Sequence, residues 1–169
     1  MTVIVATKLG PVTRPLRPPY GSVVVTVRRL RSPEWEAARE AAQAIVRDDS
    51  KLWPLLVEHD LLPPGGLKGL RRMREREPLE YAATLSGIVM WLAAVECALV
   101  GLVSWEGISL EGQTGPAPIT REVLQTLLLD DGLSEELMSV LTEAGRLLVV
   151  EGKPSGASLN GSSRPDLTA

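Results

Sequence analysis

One apolar stretch constrains this chain more than any other feature: the twenty residues from Thr84 to Val103. Glu96 is the only charged residue in that stretch. A run of this length forms either the central buried helix of a small helical domain or a single membrane span. Insertion free energies leave both interpretations open, because the large aliphatic residues contribute about −3 to −5 kcal/mol and the central acid costs roughly +3 kcal/mol. The functional interpretation depends on which of the two is correct.

The overall charge balance excludes one large class of partners. The chain has 169 residues and a net charge of −3, which argues against a nucleic-acid-binding surface spread over the whole domain. The arginine-rich segment 71–76 is short, contains an acid and lacks interleaved aromatic residues, so it is interpreted as a solvated helical turn. The single cysteine, Cys97, cannot form an internal disulfide and is expected to be a buried, unreactive residue.

Local patterns divide the chain into three parts: an N-terminal β segment or arm (1–31), a helical domain (32–150) and a Gly/Ser/Pro-rich tail (151–169) that is expected to be disordered. β-Branched residues predict short strands within 2–6 and 22–30. The prolines between residues 11 and 19 are expected to break any regular element between them. Such a ribbon must pack on a helix or remain a loose arm that orders on a partner. The predicted fold class is therefore mainly α, a small helical domain with a short N-terminal β element.

Start and stop signals place the main helices. Ser32 to Glu34 predict the first helix, with Ser32 as its N-cap, and Pro78 can begin the long apolar helix. Thr120 is the predicted N-cap of a later helix. The acidic pair Asp130–Asp131 is predicted to end that helix, with Gly132 breaking the chain, and Ser134 to cap the last helix.

No motif in this sequence predicts catalysis or metal binding. His59 stands between Glu58 and Asp60, but a second cluster of metal-ligand residue types is missing from the sequence. There is no nucleophile–base pattern or phosphate-binding loop either, so we expect neither an enzyme nor a cofactor. Glu96 is expected to face solvent at the helix edge or to pair with an arginine. Trp105 is expected to hold its turn against the core.

Four motifs follow one another after the long helix: Trp105–Ile108 (W-x-G-[IV]), Pro116–Glu122 ([PA]-x-P-[FIL]-[TS]-x-E), Leu127–Leu128 and a Lys/Gly/Ser-rich tail from Lys153. Their order resembles the tail assembly chaperones of long-tailed bacteriophages. The resemblance covers about residues 85 to 160, and the segment from Arg29 to Ala38 is loosely similar as well. The apolar helix before the first motif is longer than is typical of that family, which keeps the membrane interpretation open.

The resemblance implies a role in tail morphogenesis inside the host cytoplasm. Such chaperones bind the tape-measure protein, keep it soluble, help recruit tail-tube subunits and are absent from the mature virion. An apolar client helix would lie in a groove between the chaperone's own helices. The candidate partner-binding residues are Met90, Trp91, Trp105, Leu124, Leu127 and Leu128. The alternatives are a single-span membrane protein that uses residues 84–103 and a structural tail adaptor retained in the virion, and homo-oligomerisation is left open.

Overall fold

The computed structural model describes residues 10–112 and 114–151, with side chains up to residue 144. The predicted strand at 2–6 and the predicted disorder of the tail lie outside the described residues. The described part is mainly α, which confirms the predicted fold class. Its six helices are α1 (Ser32–Arg47), α2 (Asp49–Glu58), α3 (Gly66–Arg76), α4 (Pro78–Gly101), α5 (Arg121–Leu127) and α6 (Asp131–Glu151). Its three strands are β1 (Val12–Pro15), β2 (Val24–Val27) and β3 (Leu102–Glu106).

The long helix α4 lies at the centre of the fold. The helices α1, α3, α5 and α6 all contact it. Its C-terminal half, around Val95 and Ala98, packs with the sheet, α5 and α6, whereas Ile88 and Leu92 pack with α2 and α3. Among the described helices, α4 alone is long and apolar enough to cross a membrane, and only 33% of its most apolar window is buried. Core helices of soluble proteins have the same length and composition, so this property does not distinguish the two interpretations.

The three strands form one antiparallel sheet in the order β1-β2-β3. Strand β3 was not predicted, because the apolar run continues through Val103 and periodicity alone shows no boundary there. The helix ends at Gly101, whose carbonyl oxygen accepts a hydrogen bond from the Arg28 backbone N–H at 2.8 Å. The prediction that the prolines break every regular element is wrong for β1. Pro15 is tolerated because β1 is an edge strand of the sheet.

The sheet packs on the helices instead of extending as an arm. Val25 and Val27 are almost completely buried in the same core as α4. The Arg14 guanidinium lies 2.7 Å from the Glu143 carboxylate, and Arg17 pairs with both Glu143 and Glu136 of α6. The described part of the N-terminal segment is therefore held by both apolar contacts and ion pairs to α6.

The prediction that Asp130 and Asp131 end a helix is wrong, because α6 begins there. The Asp130 carboxylate accepts a hydrogen bond from the Leu133 N–H at 2.9 Å, and Ser134 is an internal residue of α6 and not its cap. Gly132 does not break the chain. It makes room for Tyr20, since a Cβ at this position would lie 2.7 Å from the Tyr20 hydroxyl oxygen. That hydroxyl donates a hydrogen bond to Asp130 and so joins the sheet to the start of α6.

The start of α1 is fixed by Glu34. Ser32 is the first helical residue and not the N-cap, a position occupied by Arg31. The Glu34 carboxylate lies 2.8 Å from the Arg28 guanidinium and accepts a hydrogen bond from the Arg31 backbone N–H at 2.7 Å. The Arg28 guanidinium and the Arg31 N–H together lower the pKa of Glu34 from 4.5 to about 2. This carboxylate thus connects the residue directly after β2 to the first turn of α1.

Acid should weaken the fold partly through Glu34. Since the folded-state pKa is about 2 and the ordinary value is 4.5, the contribution of this carboxylate is complete above about pH 4.5 and is lost as the pH falls towards 2. We expect the unfolding free energy of the Glu34→Gln variant to depend less on pH in this window than that of the unchanged chain. Urea titrations at a series of pH values measure the difference. Parallel pH profiles for the two proteins would contradict the assignment.

Two glycines of α4 have opposite surroundings. A Cβ on Gly87 would meet no atom within 4 Å. A Cβ on Gly101 would lie 2.5 Å from Cδ2 of Leu141 and 3.3 Å from the side chain of Leu30, both of which are buried. Gly101 therefore allows α6 and the segment before α1 to pack closely on α4. Gly87 has no such packing role among the described residues.

The two glycine-to-alanine variants should shift stability in opposite directions. Gly87→Ala should stabilise the protein by about 0.5–1 kcal/mol, because alanine is the better helix former. Gly101→Ala should destabilise it by about 1–2 kcal/mol, because overpacking the core costs more than the helix propensity gains. Each variant is the control for the other in urea-induced unfolding. Equal shifts would show that the packing at Gly101 is not restrictive.

Candidate functional site

An apolar groove of about 830 Å³ lies between α1 and α6, with α4 as its floor. Both flanking helices pack on α4 but hardly contact each other, which leaves the groove open. Its floor is formed by residues three and four positions apart, on one face of α4: Gly87, Met90, Ala94 and Cys97. Trp35 of α1 and Met138 of α6 line the two walls. From Gly87 to Cys97 the floor extends about 15 Å, or nearly three helical turns.

Met90 is the most accessible apolar side chain in the groove. Its exposed fraction is 72%, whereas Ala94 and Cys97 further along the floor are buried. Methionine is flexible and polarizable, so it adapts to the shape of a neighbouring apolar surface. The open half of the groove therefore combines an adaptable side chain with the bare backbone at Gly87.

The rim of the groove carries four charged residues: Glu36 and Arg39 from α1, and Asp131 and Glu135 from α6. The rim thus carries three carboxylates and one guanidinium. Within the described side chains, none of the four has an oppositely charged partner within 4 Å. The groove is consequently apolar along its floor and acidic along its α6 edge, whereas Glu36 and Arg39 balance each other in formal charge on the α1 edge.

Half of the predicted partner-binding residues line this groove, namely Met90, Trp91 and Leu128. Trp91 is half-buried, and its ring N–H donates a hydrogen bond to the carbonyl oxygen of Gln125 at 3.1 Å. Leu128 is only 3% exposed. Of these three side chains, Met90 is largely accessible from the groove and Trp91 is partly accessible. Leu128 lines the groove but is almost completely buried.

The other three predicted residues lie in the interior or against it. Leu124 and Trp105 are buried, and Leu127 is half-buried against the main core. These residues have the apolar pattern of a partner-binding stripe. Burial in the protein's own core requires the same residue types as burial against a partner, so the sequence pattern does not distinguish the two. In this conformation none of the three lines the groove.

Trp105 holds the loop after β3 against the sheet. Its ring N–H donates a hydrogen bond to the Ala117 carbonyl oxygen at 2.6 Å, and the Ala117 N–H donates to the Ile108 carbonyl oxygen at 2.8 Å. Gly107 has a φ of +83°, and a Cβ there would lie 2.4 Å from the Ser22 carbonyl oxygen. The Trp-x-Gly-Ile motif therefore has a physical explanation within this fold, a tight turn closed by an indole hydrogen bond.

Glu96 pairs with an arginine, one of the two arrangements expected for it. The Arg121 guanidinium forms two contacts with the carboxylate, one of them 3.1 Å long, and the Glu96 side chain is only 12% exposed. Thr120 is the N-cap of α5, as predicted, and its hydroxyl oxygen accepts a hydrogen bond from the Val123 N–H at 3.4 Å. The only charge in the apolar stretch is thus used to attach α5 to α4.

The remaining candidates have structural surroundings. Cys97 is buried as expected, and burial raises the pKa of its thiol to about 11, so it stays protonated at neutral pH. The His59 ring packs edge-on against Trp91, with 5.2 Å between ring centroids. In the part of the chain that the structure describes, no three His, Cys, Asp or Glu side chains come close enough to hold a metal ion.

Sequence reasoning missed both walls of the groove. Trp35 lies at helical spacing with Ala38 and Ala42, but that pattern does not show that it borders an opening. No sequence pattern indicated that Met138 and the acids on the rim line a groove, because only the packing of α6 on α4 brings them opposite α1. Gly87, Ala94 and Ala98 place small side chains on one side of α4, and this spacing is the one sequence signal that another helix could approach there.

Substitutions of Trp105 should test its structural role. Trp105→Ala should cost about 3–5 kcal/mol of stability through the cavity it leaves. Trp105→Phe keeps most of the packing but leaves the Ala117 carbonyl oxygen unpaired, so it should cost about 1–3 kcal/mol. Chemical denaturation monitored by circular dichroism measures both. If the phenylalanine variant is as stable as the unchanged chain, the indole hydrogen bond contributes nothing to stability.

Comparison with known proteins finds no protein-family model, curated protein or solved structure that matches this chain. Its fold is therefore described from its own contacts. The function has to be inferred from the groove and from the sequence motifs that surround it.

Proposed function

We propose that this chain is a non-enzymatic tail assembly chaperone of a long-tailed bacteriophage, which holds an apolar helix of the tape-measure protein in the groove above α4. The observation that carries the proposal is the open apolar groove itself, with Met90 72% exposed at its floor. The order of motifs from Trp105 to Leu128 supports the assignment to tail assembly. The protein acts in the host cytoplasm, assists the recruitment of tail-tube subunits and leaves before the virion is complete.

The shape of the groove suits a helix better than an extended strand. The walls of the groove are two helices, and its floor is a third, so its neighbours expose side chains rather than the free backbone edge that strand addition requires. Gly87 and Ala94 project little from α4, which lets a fourth helix approach to the usual 8–10 Å between axes. A bound helix would cover Met90 and complete the packing around α4.

The same contact explains how the client stays soluble. Exposed apolar stripes on long helices associate with one another in water, because burial removes apolar surface from the solvent. A chaperone that covers one such stripe replaces that association with a contact that can be released during assembly. Only a modest area near Met90 is open, which favours reversible binding over a permanent interface.

A membrane-anchored protein is the second candidate, because the N-terminal part of α4 is exposed. Leu79 is 87% exposed and Met90 72%, and the helix is long enough to cross a bilayer. Spanning would require α4 to leave its neighbours, break the Glu96–Arg121 ion pair and lose the hydrogen bond between Trp91 and α5. These contacts favour the chaperone.

Co-expression with the tape-measure protein tests the proposal. We expect the unchanged chain to increase the soluble fraction of the tape-measure protein. Met90→Asp should abolish the increase, because a charge on the floor of the groove opposes binding of an apolar helix. Val57→Asp is the matched control, since Val57 is also exposed, at 57%, but lies on α2 away from the groove.

Three outcomes would contradict the proposal. Equal solubility of the client with and without this chain rules out the chaperone function. Recovery of the chain only in detergent favours the membrane-anchored candidate. Detection of the chain in purified particles by mass spectrometry favours a structural tail adaptor. Circular dichroism of both aspartate variants establishes that a loss of effect does not come from unfolding.

A further inference from the structure

The acidic residues of α6 divide into two sets. Glu136 and Glu143 face the sheet, where Arg14 and Arg17 pair with them. On the groove side, Asp131 and Glu135 are four residues apart and therefore lie on one face of the helix. Neither forms an ion pair within the described side chains, and the same is true of Glu36 on the opposite wall. Both walls of the groove thus carry acids without an ion pair among the described side chains, and the α6 wall carries no compensating cation.

We infer that the groove selects an amphipathic helix that carries lysine or arginine beside its apolar stripe. This inference rests on the proposed function and adds the chemistry of the client to it. The apolar floor from Gly87 to Cys97 would contact the stripe, over about three turns. Cations beside the stripe would lie opposite Asp131 and Glu135 on the α6 wall, and Glu36 supplies a further acid on the α1 wall. Among the described residues, Arg39 is the only cation that lines the groove, so the formal charge of the rim stays negative.

The expected selectivity is moderate, because the rim acids are accessible to solvent. An exposed ion pair contributes little on its own. The three carboxylates attract a helix with flanking cations and repel a helix with flanking acids. The two effects together give about a tenfold difference in affinity between the two helices. Charges at a rim also act mainly on the rate of association, and salt weakens them.

A second copy of this chain is a poorer occupant. The basic helix α3 offers Arg71, Arg72 and Arg74, but its buried leucine, Leu70, is only 1% exposed and already packs on α2 and α4. Using α3 as the bound helix would require that core to open. A separate basic amphipathic helix needs no such rearrangement.

Binding of synthetic helices to the full-length chain tests the inference. Three fluorescent peptides of about 18 residues, long enough to form helix, carry the same leucine and alanine stripe and differ only in flanking lysine, glutamine or glutamate. Fluorescence anisotropy at low and physiological salt measures their affinities. We expect the lysine peptide to bind about tenfold more tightly than the glutamate peptide, with the glutamine peptide between them. The difference should shrink as salt is added.

A pair of triple variants locates the source of the preference. Glu36→Gln, Asp131→Asn and Glu135→Gln together should reduce the difference between the lysine and glutamate peptides to about twofold or less while the glutamine peptide still binds. Glu40→Gln, Glu75→Gln and Glu106→Gln together remove the same charge from exposed positions that do not line the groove, so the preference should persist. Circular dichroism establishes that both variants are folded.

The outcomes separate this inference from the proposed function. If all three peptides bind equally and Met90→Asp abolishes their binding, the charge selectivity is wrong and the apolar groove still binds helices. The selectivity is also wrong if the control triple variant loses the preference and the groove variant keeps it. If no peptide binds, both the inference and the helix-binding groove are overturned. Concentration-dependent self-association that competes with the lysine peptide would identify a second copy as the occupant and overturn the inference.

Discussion

The helix α4 is apolar around almost its whole circumference, and most of the described elements pack on it. Helix α1 packs along α4, the sheet, α5 and α6 cover its C-terminal half, and α3 together with the buried leucines of α2 covers its N-terminal half. Burying apolar surface is the main favourable contribution to folding, and a helix without a polar face must therefore be surrounded or remain partly exposed. Part of α4 is surrounded by other elements and part of it is exposed, and both parts occur along the groove, where Ala94 and Cys97 are buried and Met90 is exposed.

Apolar contacts pack the elements together, and polar contacts fix their relative positions. Glu96 joins α5 to α4, Asp130 joins the start of α6 to Tyr20, and Glu34 joins α1 to β2. In each pair the acid is held by a partner from a different part of the chain, and these directional contacts orient elements that the aliphatic core alone would not orient. The acids on the rim of the groove form no such pair among the described side chains, and they are the basis for the proposed charge preference of the groove.

Several features of the fold could be predicted from local chemistry, because local chemistry causes them. Thr120 caps α5 through its own hydroxyl, and Pro78 begins α4 where a missing N–H has no cost. Long-range packing produced strand β3, whose residues pair with the edge of β2 from a distant part of the sequence. The start of α6 is local in origin, since the Asp130 carboxylate accepts a hydrogen bond from the Leu133 N–H, although the acidic pair beside a glycine predicted a helix end. Of the candidate site, Met90 and Trp91 were found from their residue type, whereas Trp35 and Met138 required the arrangement of three helices.

By itself, the sequence determined that this chain is mainly helical, that one long apolar helix dominates it and that it carries no recognisable catalytic motif. Those properties follow from residue types and spacings along the chain, which act over a few residues. Only the tertiary structure decided which side of α4 remains open and which acids border that opening. Exposure depends on what packs from distant parts of the chain, so an apolar residue at helical spacing has the same pattern whether its own core or a partner covers it.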